Sequence, residues 1–325
     1  MISLARLADV RTIVTHDSCA DGTASAIILR DAFYDRDVPV RFLQYGSDAH
    51  RNLVPEPGML FCDIVPPYDR AGEFVQAGAL VLDHHKTARS VVEQFGEDGI
   101  FADEATEPGV CGAVLAYRHV WLPLKPQLSL AAPDEQYAIK GQFAHDFATL
   151  AGIRDTWQRK DPRWDEACRQ SSILSFIPND QWLSKSLSEL TWFWEKDYNW
   201  LGKLLQDKFA ADVARMAAKG WAFTTEKGMK VLIIPSKGLT SDVAELLDDK
   251  VDLIAGFGYT FEPEIGYPQM ILSTRSHTTF DCSALCKAFG GGGHSKAAGC
   301  SFPVNPETAN PYTFIENLIR GYESR

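Results

Sequence analysis

With 325 residues, 45% of them hydrophobic and 23% charged, the chain has room for two domains with buried cores and is too apolar for a disordered protein. Its net charge of -11 argues against a protein that grips long nucleic acid by neutralising phosphates, because such surfaces are basic. That balance leaves room for a small phosphate pocket and suits a site that collects divalent cations.

Residues 10–15 read as a first strand running into the polar turn His16-Asp17-Ser18-Cys19-Ala20-Asp21-Gly22, and residues 23–33 place apolar side chains at helical spacing. Strand, glycine-containing turn and helix form the entry to a doubly wound sheet. Residues 40–45 and 58–62 are the predicted second and third strands, and the third stops at Asp63. Residues 68–77 are predicted as a helix with Gly78 just past its end. Ala79-Leu80-Val81-Leu82 then runs straight into Asp83-His84-His85-Lys86. A short all-apolar run with β-branched content reads as a strand buried on both faces, as in parallel sheets. In open α/β sheets, ligands bind outside the carboxyl ends of such strands. The strand ends at His16/Asp21, Asp63 and Asp83/His84/His85 are therefore expected to converge on one edge. Oxygen and imidazole donors without thiolate clusters suit Mn²⁺ or Mg²⁺ better than zinc.

Glu107-Pro108-Gly109-Val110-Cys111-Gly112 opens a predicted helix through residue 120, and the proline-rich residues 122–133 read as a loop. A helix over 134–152 leads to Asp155, a further carboxylate at an element end. Six of the eight tryptophans lie between Trp157 and Trp200. The cluster suits base stacking, but an aromatic helical cap packed on the sheet explains it better, since tryptophan marks burial. Residues 201–220 read as a helical connector. Beyond it, 230–235, 251–257 and 270–275 are predicted strands, and 240–247 is a helix that Ser241-Asp242 could cap. A helix over 281–289 runs into Gly290-Gly291-Gly292-Gly293-His294-Ser295-Lys296-Ala297-Ala298-Gly299. The glycines give a backbone that a ligand can approach closely, with N–H groups for an anion. The small residues after them are expected to start a tightly packed helix, with Arg275 at a nearby strand end.

Seven cysteines without a C-x-x-C pair point to reduced thiols. The start of the chain has no signal-peptide core, and no stretch nears the roughly 18 apolar residues of a membrane span. These features read as a soluble, cytoplasmic protein.

Leu82-Asp83-His84-His85 resembles the D-H-H motif of the DHH phosphoesterase superfamily, which includes RecJ-type exonucleases, NrnA-type oligoribonucleases, cyclic-dinucleotide phosphodiesterases and family II pyrophosphatases. Residues 290–299 resemble the G-G-G-H-x-x-A-A-G motif of the DHH-associated C-terminal domain, and Arg275-Ser276 its R-S element. The resemblance runs from about Ile13 to Phe302. It implies an α/β fold: a doubly wound, mainly parallel catalytic domain over 1–200, a connector over 201–220, and a smaller α/β substrate-binding domain over 221–325. The active-site cleft would lie between the two domains.

The same resemblance implies two divalent cations, Mn²⁺ first with Mg²⁺ or Co²⁺ as alternatives. Their ligands would be His16, Asp21, Asp63, His84 and Asp155, with Asp63 bridging. The first motif departs from the family's H-x-x-x-D-x-D: it is one residue shorter, and Cys19 stands where an aspartate is expected. Asp17 and Cys19 are both candidates to complete that site, and Asp83 is a further candidate ligand. His85 and Lys86 would stabilise the phosphoryl oxygens, while Arg275, Gly291, Gly292, Gly293 and His294 would hold a second phosphate or terminal nucleotide. The implied activity is hydrolysis of phosphodiester bonds in short oligonucleotides or linear dinucleotides to mononucleotides, through a hydroxide held between two metals. Two alternatives stay open: a polyphosphate, pyrophosphate or pAp-type phosphohydrolase, and a nucleotide-binding sensor in which Cys19 impairs catalysis. Neither long duplex nucleic acid nor a membrane is an expected partner.

Overall fold

The computed structural model describes residues 2–125, 135–185, 187, 189–190, 198–236, 238–247, 250–261, 268–304 and 310–324. The chain divides into two compact units, Met1–Gln206 and Asp207–Arg325, and the helix Tyr198–Ala218 runs through the point of division.

The first unit is built on five parallel strands, β1 (Thr12–His16), β2 (Val40–Leu43), β3 (Met59–Cys62), β4 (Leu80–Asp83) and β5 (Gly99–Phe101), in the order β2-β1-β3-β4-β5. β3 and β4 are buried along their whole length. Their side chains alternate between two cores. Leu60, Cys62, Leu80 and Leu82 pack with residues of the helices Ala20–Ala32, Gly112–Ala116 and Glu135–Asp155. Met59, Phe61 and Val81 pack on the other side with Phe74, Val91 and Val92. A sheet covered on both faces needs apolar residues at every position, which is why these strands read as unbroken runs. The order reverses between β1 and β3. That reversal places the ligand crevice of a doubly wound sheet at the carboxyl ends of those strands.

Several local expectations shift. β5 carries no apolar run long enough to announce it, and it forms by parallel pairing of Gly99 and Ile100 with Val81 and Leu82. The helix opened by Gly112 widens into a π-turn over Tyr117–Trp121. The helix expected over 134–152 runs Glu135–Asp155, so that Asp155 is its last residue. Of the expected loop over 122–133, Leu122–Leu124 is a helical turn and 126–134 lie outside the described residues. The described part of the tryptophan-rich segment joins the sheet's core through Ile173, Leu174, Trp182, Leu187 and Leu190. Trp182 is buried and donates to Leu174 O at 3.4 Å, whereas Trp157 and Trp200 are exposed; Trp192 and Trp194 lie outside the described residues. The helix Trp164–Phe176 packs on the helices Ala20–Ala32 and Glu135–Asp155. Among the described residues, no helix is long and apolar enough to cross a membrane.

The second unit holds a mixed sheet, β6 (Trp221–Thr224), β7 (Lys230–Ile234), β8 (Leu253–Phe261), β9 (Pro268–Ser276), β10 (Gly292–His294) and β11 (Ala297–Pro303), ordered β10-β11-β9-β8-β7-β6. β7 and β8 are parallel and the other neighbours antiparallel. Cys282, Leu285, Ile315 and Ile319 cover one core, and Val243 and Ala244 the other.

Two expectations fail in this unit. The small residues after the glycine run do not start a helix: Ala297–Pro303 is a strand, and Gly292–His294 folds back on it as a hairpin. The reason is close backbone approach. A Cβ on Gly291 would stand 2.2 Å from Gly299 O, and one on Gly293, at φ 137°, would stand 2.5 Å from Ala297 O. Only glycine permits that crossing. Nor do Ser241 and Asp242 cap Thr240–Leu246. Leu239 holds the cap position without a side-chain bond, and Ser241 Oγ instead accepts from Arg275 Nε at 2.8 Å.

The glycines therefore differ in what they tolerate. Gly293→Ala is expected to destabilise the second unit by about 1–3 kcal/mol through overpacking and a left-handed backbone. Gly292, with nothing near its Cβ position, is expected to accept alanine within about 0.5 kcal/mol. Denaturant melts of the two variants read this difference, and equal stabilities would refute it.

Candidate metal centre

Strand ends deliver most of the centre. β1 ends on His16, and β4 ends on Asp83 and hands on His84. Asp63 follows β3 in a left-handed conformation, φ 62°, while its N–H still donates to Leu82 O at 3.1 Å. The backbone thus turns out of the sheet at the residue that points into the site, and aspartate tolerates that conformation better than most side chains. Asp21 comes from the first turn of Ala20–Ala32 and Asp155 from the end of Glu135–Asp155. His84 Nε2 lies 3.2 Å from Asp63 Oδ1, 3.5 Å from Asp21 Oδ2 and 3.6 Å from Asp155 Oδ2. His16 Nδ1 lies 3.8 Å from Asp63 Oδ2. Donor atoms fall within 4.8 Å of one another in three sets: His16/Cys19/Asp63, Asp63/His84/His85 and Asp21/His84/Asp155. Asp63 and His84 each belong to two of them, and of the two the carboxylate offers a pair of oxygens.

The supporting contacts explain why each group faces inward. His16 Nε2 is 3.3 Å from Gln44 Oε1, and Gln44 Nε2 donates to Asp17 O at 2.8 Å. Gln44 therefore presents an acceptor, His16 donates from Nε2, and the lone pair at Nδ1 is left toward Asp63. Burial lowers the His16 pKa, which keeps the ring neutral. Asp21 accepts from the amides of Gly112 at 2.7 Å and Ala113 at 2.8 Å, at the start of Gly112–Ala116. A Cβ on Gly112 would come within 2.6 Å of Asp63 Cβ and 3.0 Å of Asp21 Oδ2, so this position must be glycine. Sequence reasoning reads Gly112 only as part of a helix opening and does not find Gln44 at all.

The remaining candidates take other places. Asp83 is buried, and its Oδ1 accepts from the His85 amide at 2.7 Å and lies 2.9 Å from His85 Nδ1. It orients His85 and belongs to none of the donor sets. Asp17 Oδ1 accepts from Ser18 N at 2.8 Å and Asn179 Nδ2 at 3.2 Å, so Cys19 and not Asp17 stands with His16 and Asp63. Lys86 is exposed. In the second unit, Arg275 and His294 each pair with Ala297, and the three form one row across β9, β11 and β10. The Arg275 guanidinium also donates to Ser273 Oγ at 3.2 Å and Thr274 O at 2.8 Å. Gly293 pairs with Ala298 within the hairpin.

Electrostatically the centre carries more negative charge than its own residues balance. Burial, then the Asp21 charge, pushes the Asp63 carboxyl well above its ordinary range and raises Asp155 to about 6. Burial and the charges of Asp63, Asp21 and Asp155 hold the Cys19 thiol well above its usual value. For His85, burial works to lower the pKa, but the hydrogen bond and charge of Asp83 outweigh it and raise the ring to about 9. Asp63 Oδ2 is buried with no hydrogen-bond partner among the described residues. Crowded carboxylates with an orphaned oxygen form a set that divalent cations complete. Carboxylate and imidazole donors fit hard cations, and Cys19 is the soft exception. A cavity of ≈ 190 Å³ adjoins Asp21 and Asp155, and another of ≈ 200 Å³ adjoins His16, Asp63 and His85.

Because Asp155 is raised above its unfolded value, the metal-free fold binds this proton more tightly than the unfolded chain does. The contribution is fully present below the unfolded value of 3.8 and is lost as pH rises through the folded value of about 6. Asp155→Asn removes the titration. Without metal, the variant is expected to gain melting temperature relative to wild type between about pH 5 and about pH 7.5. Over the same interval the wild type's metal-induced rise in Tm should grow, since the cation displaces the proton. A wild-type–variant gap that does not move with pH would place the proton elsewhere.

No family model matches the chain. In sequence it is 23% identical over 332 residues to oligoribonuclease NrnB of Bacillus subtilis (strain 168), covering 92% of this chain and 78% of that protein. In structure it is similar to a DHH domain from a member of the s1p family of ribosomal proteins, with TM-score 0.55, 12% identity, and coverage of 98% of this chain and 88% of that one. It is also similar to exonuclease RecJ bound to manganese, with TM-score 0.52, 16% identity, and coverage of 99% and 93%. The chain has the fold of that DHH domain and of that exonuclease.

Proposed function

We propose that the protein is a metal-dependent phosphodiesterase that hydrolyses short oligonucleotides or linear dinucleotides to mononucleotides. The observation that carries this reading is Asp63, buried at the sheet's switch point, shared between two donor sets and left with an unpartnered oxygen. The similarity to an oligoribonuclease and to a manganese-bound exonuclease supports it.

His16, Asp21, Asp63, His84 and Asp155 would hold two divalent cations, Mn²⁺ before Mg²⁺ or Co²⁺, with Cys19 beside the first. Such cations, when bound, lower the pKa of an attacking water and neutralise phosphoryl charge. The chain's own groups do the rest. His85, held protonated at neutral pH by Asp83, donates to a non-bridging phosphoryl oxygen, a charge-assisted bond that strengthens as charge develops there. Lys86 adds positive charge at the mouth of the site. The Gly112 and Ala113 amides keep Asp21 fixed. In the second unit, Arg275, Gly291, Gly292, Gly293 and His294 are assigned to a second phosphate or terminal nucleotide.

Chelation followed by dialysis is expected to abolish hydrolysis of di- to pentanucleotides, and Mn²⁺ to restore it. Asp63→Asn should lower kcat by about 10³ or more, since it weakens both cation positions at once. Retention of more than about a tenth of the wild-type rate would remove the bridging role. Inactivity of the metal-loaded wild type on every oligonucleotide would favour the sensor reading, which Cys19 beside His16 and Asp63 motivates.

Substrate length is a separate test. A chain of net charge -11 has few phosphate contacts to offer. With about 0.7 of slope per contact on single strands, two or three contacts give a slope of about -1.4 to -2.1 in log affinity against log salt. Values of kcat/KM are expected to fall as oligonucleotides lengthen beyond about five residues. Processive digestion of long strands with a slope near -5 would contradict this.

A further inference from the structure

We infer that the cavity beside Asp21 and Asp155 is a nucleobase subsite, in which Trp157 supplies the stacking wall and Gln170 Oε1 accepts from an N–H edge of the base. The inference rests on the phosphodiesterase reading and deepens it. The cavity measures ≈ 190 Å³ and is lined by Asp21, Asp155, Trp157, Gln170, Ser171 and Ser175 among others. A cavity of about 150 Å³ already takes benzene, so one planar heterocycle fits. Two of the lining residues are proposed cation ligands. Whatever binds here is therefore next to the reacting phosphorus.

Three observations identify the occupant. Gln170 is 1% exposed. Its Nε2 donates to Phe147 O at 2.8 Å, which fixes the amide orientation, and Oε1 is then buried without a hydrogen-bond partner among the described residues. A buried acceptor of this kind calls for a donor from outside the chain. Trp157 is the second: a non-glycine residue at φ 55°, 37% exposed. Its ring lies 4.4 Å from the Arg154 guanidinium carbon and 5.9 Å from the Trp164 ring. An indole packed against Arg154 and Trp164 and held by an uncommon backbone conformation is a rigid surface, and such conformations concentrate at functional sites. The third is charge. Asp21, Asp155 and the Gln170 oxygen outnumber the one cation of the lining, Arg154, so the cavity disfavours an anion. A ribose could donate to Gln170 but would not use the indole face. A base uses both, and every base offers an N–H edge, so the subsite selects for a base more than among bases.

The test compares a dinucleotide with two analogues, each abasic at one position, using metal-loaded wild type, Gln170→Leu and Trp157→Leu. Wild type is expected to favour the complete dinucleotide over one of the analogues by about tenfold or more in kcat/KM, carried by KM, within the range of base–aromatic stacking. Either substitution should collapse that ratio toward one. A purely structural role would lower all three rates together and leave the ratio standing, which overturns the assignment. If Gln170→Leu does not fold, Ser175→Phe, at an exposed position, fills the cavity from its mouth and is read the same way. Wild type that cleaves all three substrates equally removes the subsite and spares the activity. Wild type that cleaves none removes the phosphodiesterase reading itself.

Discussion

Two backbone amides decide where the centre's negative charge can stand. Gly112 and Ala113 donate to the two oxygens of Asp21, and this contact locks the start of Gly112–Ala116 against the crevice of the sheet. It is possible because Gly112 has no Cβ to collide with Asp63. Asp21 in turn stands 3.5 Å from His84 Nε2, and its charge raises both Asp63 and Asp155. A larger side chain at Gly112 would push the helix away, release Asp21 and change the charge balance of every carboxylate around it.

The topology makes this crowding affordable. With β1 and β3 adjacent and their connections leaving on opposite faces, the crevice opens at the carboxyl ends of these strands. Apolar strands buried on both faces hold the carboxylates rigidly while their tips remain partly accessible. The strain is local: Ser18, Asp63 and Trp157, the described non-glycine residues with positive φ, all lie at or beside the centre.

How legible was this in the sequence? The strands announced themselves because burial on both faces forces unbroken apolar runs, and the chemistry at their ends followed from where such strands place ligands. Leu82-Asp83-His84-His85 is the plainest case. Asp83 shows the limit: its type and place suggest a ligand, but whether it faces a metal or steadies His85 depends on one side-chain rotation. Gln44 and Gly112 are invisible for a different reason. They come from a distant strand end and a distant helix start, and only the folded sheet brings them to the centre. The glycine run misled in the opposite direction. Small residues suit both a tightly packed helix and a tightly crossed hairpin, and the pairing of β11 with β9 decides between them.

Cys19 has a chemical consequence of its own. A thiol that burial first, and the neighbouring carboxylates after it, keep protonated is a poor nucleophile and oxidises slowly. The charges that would gather a cation therefore also shelter this sulfur from peroxides while the cation is away. A cation that neutralised them would remove that part of the shelter and leave the part that burial supplies, with a sulfur beside it that favours thiophilic ions such as zinc or copper. The identity of an ion held beside His16 would then depend on which metals the surroundings supply.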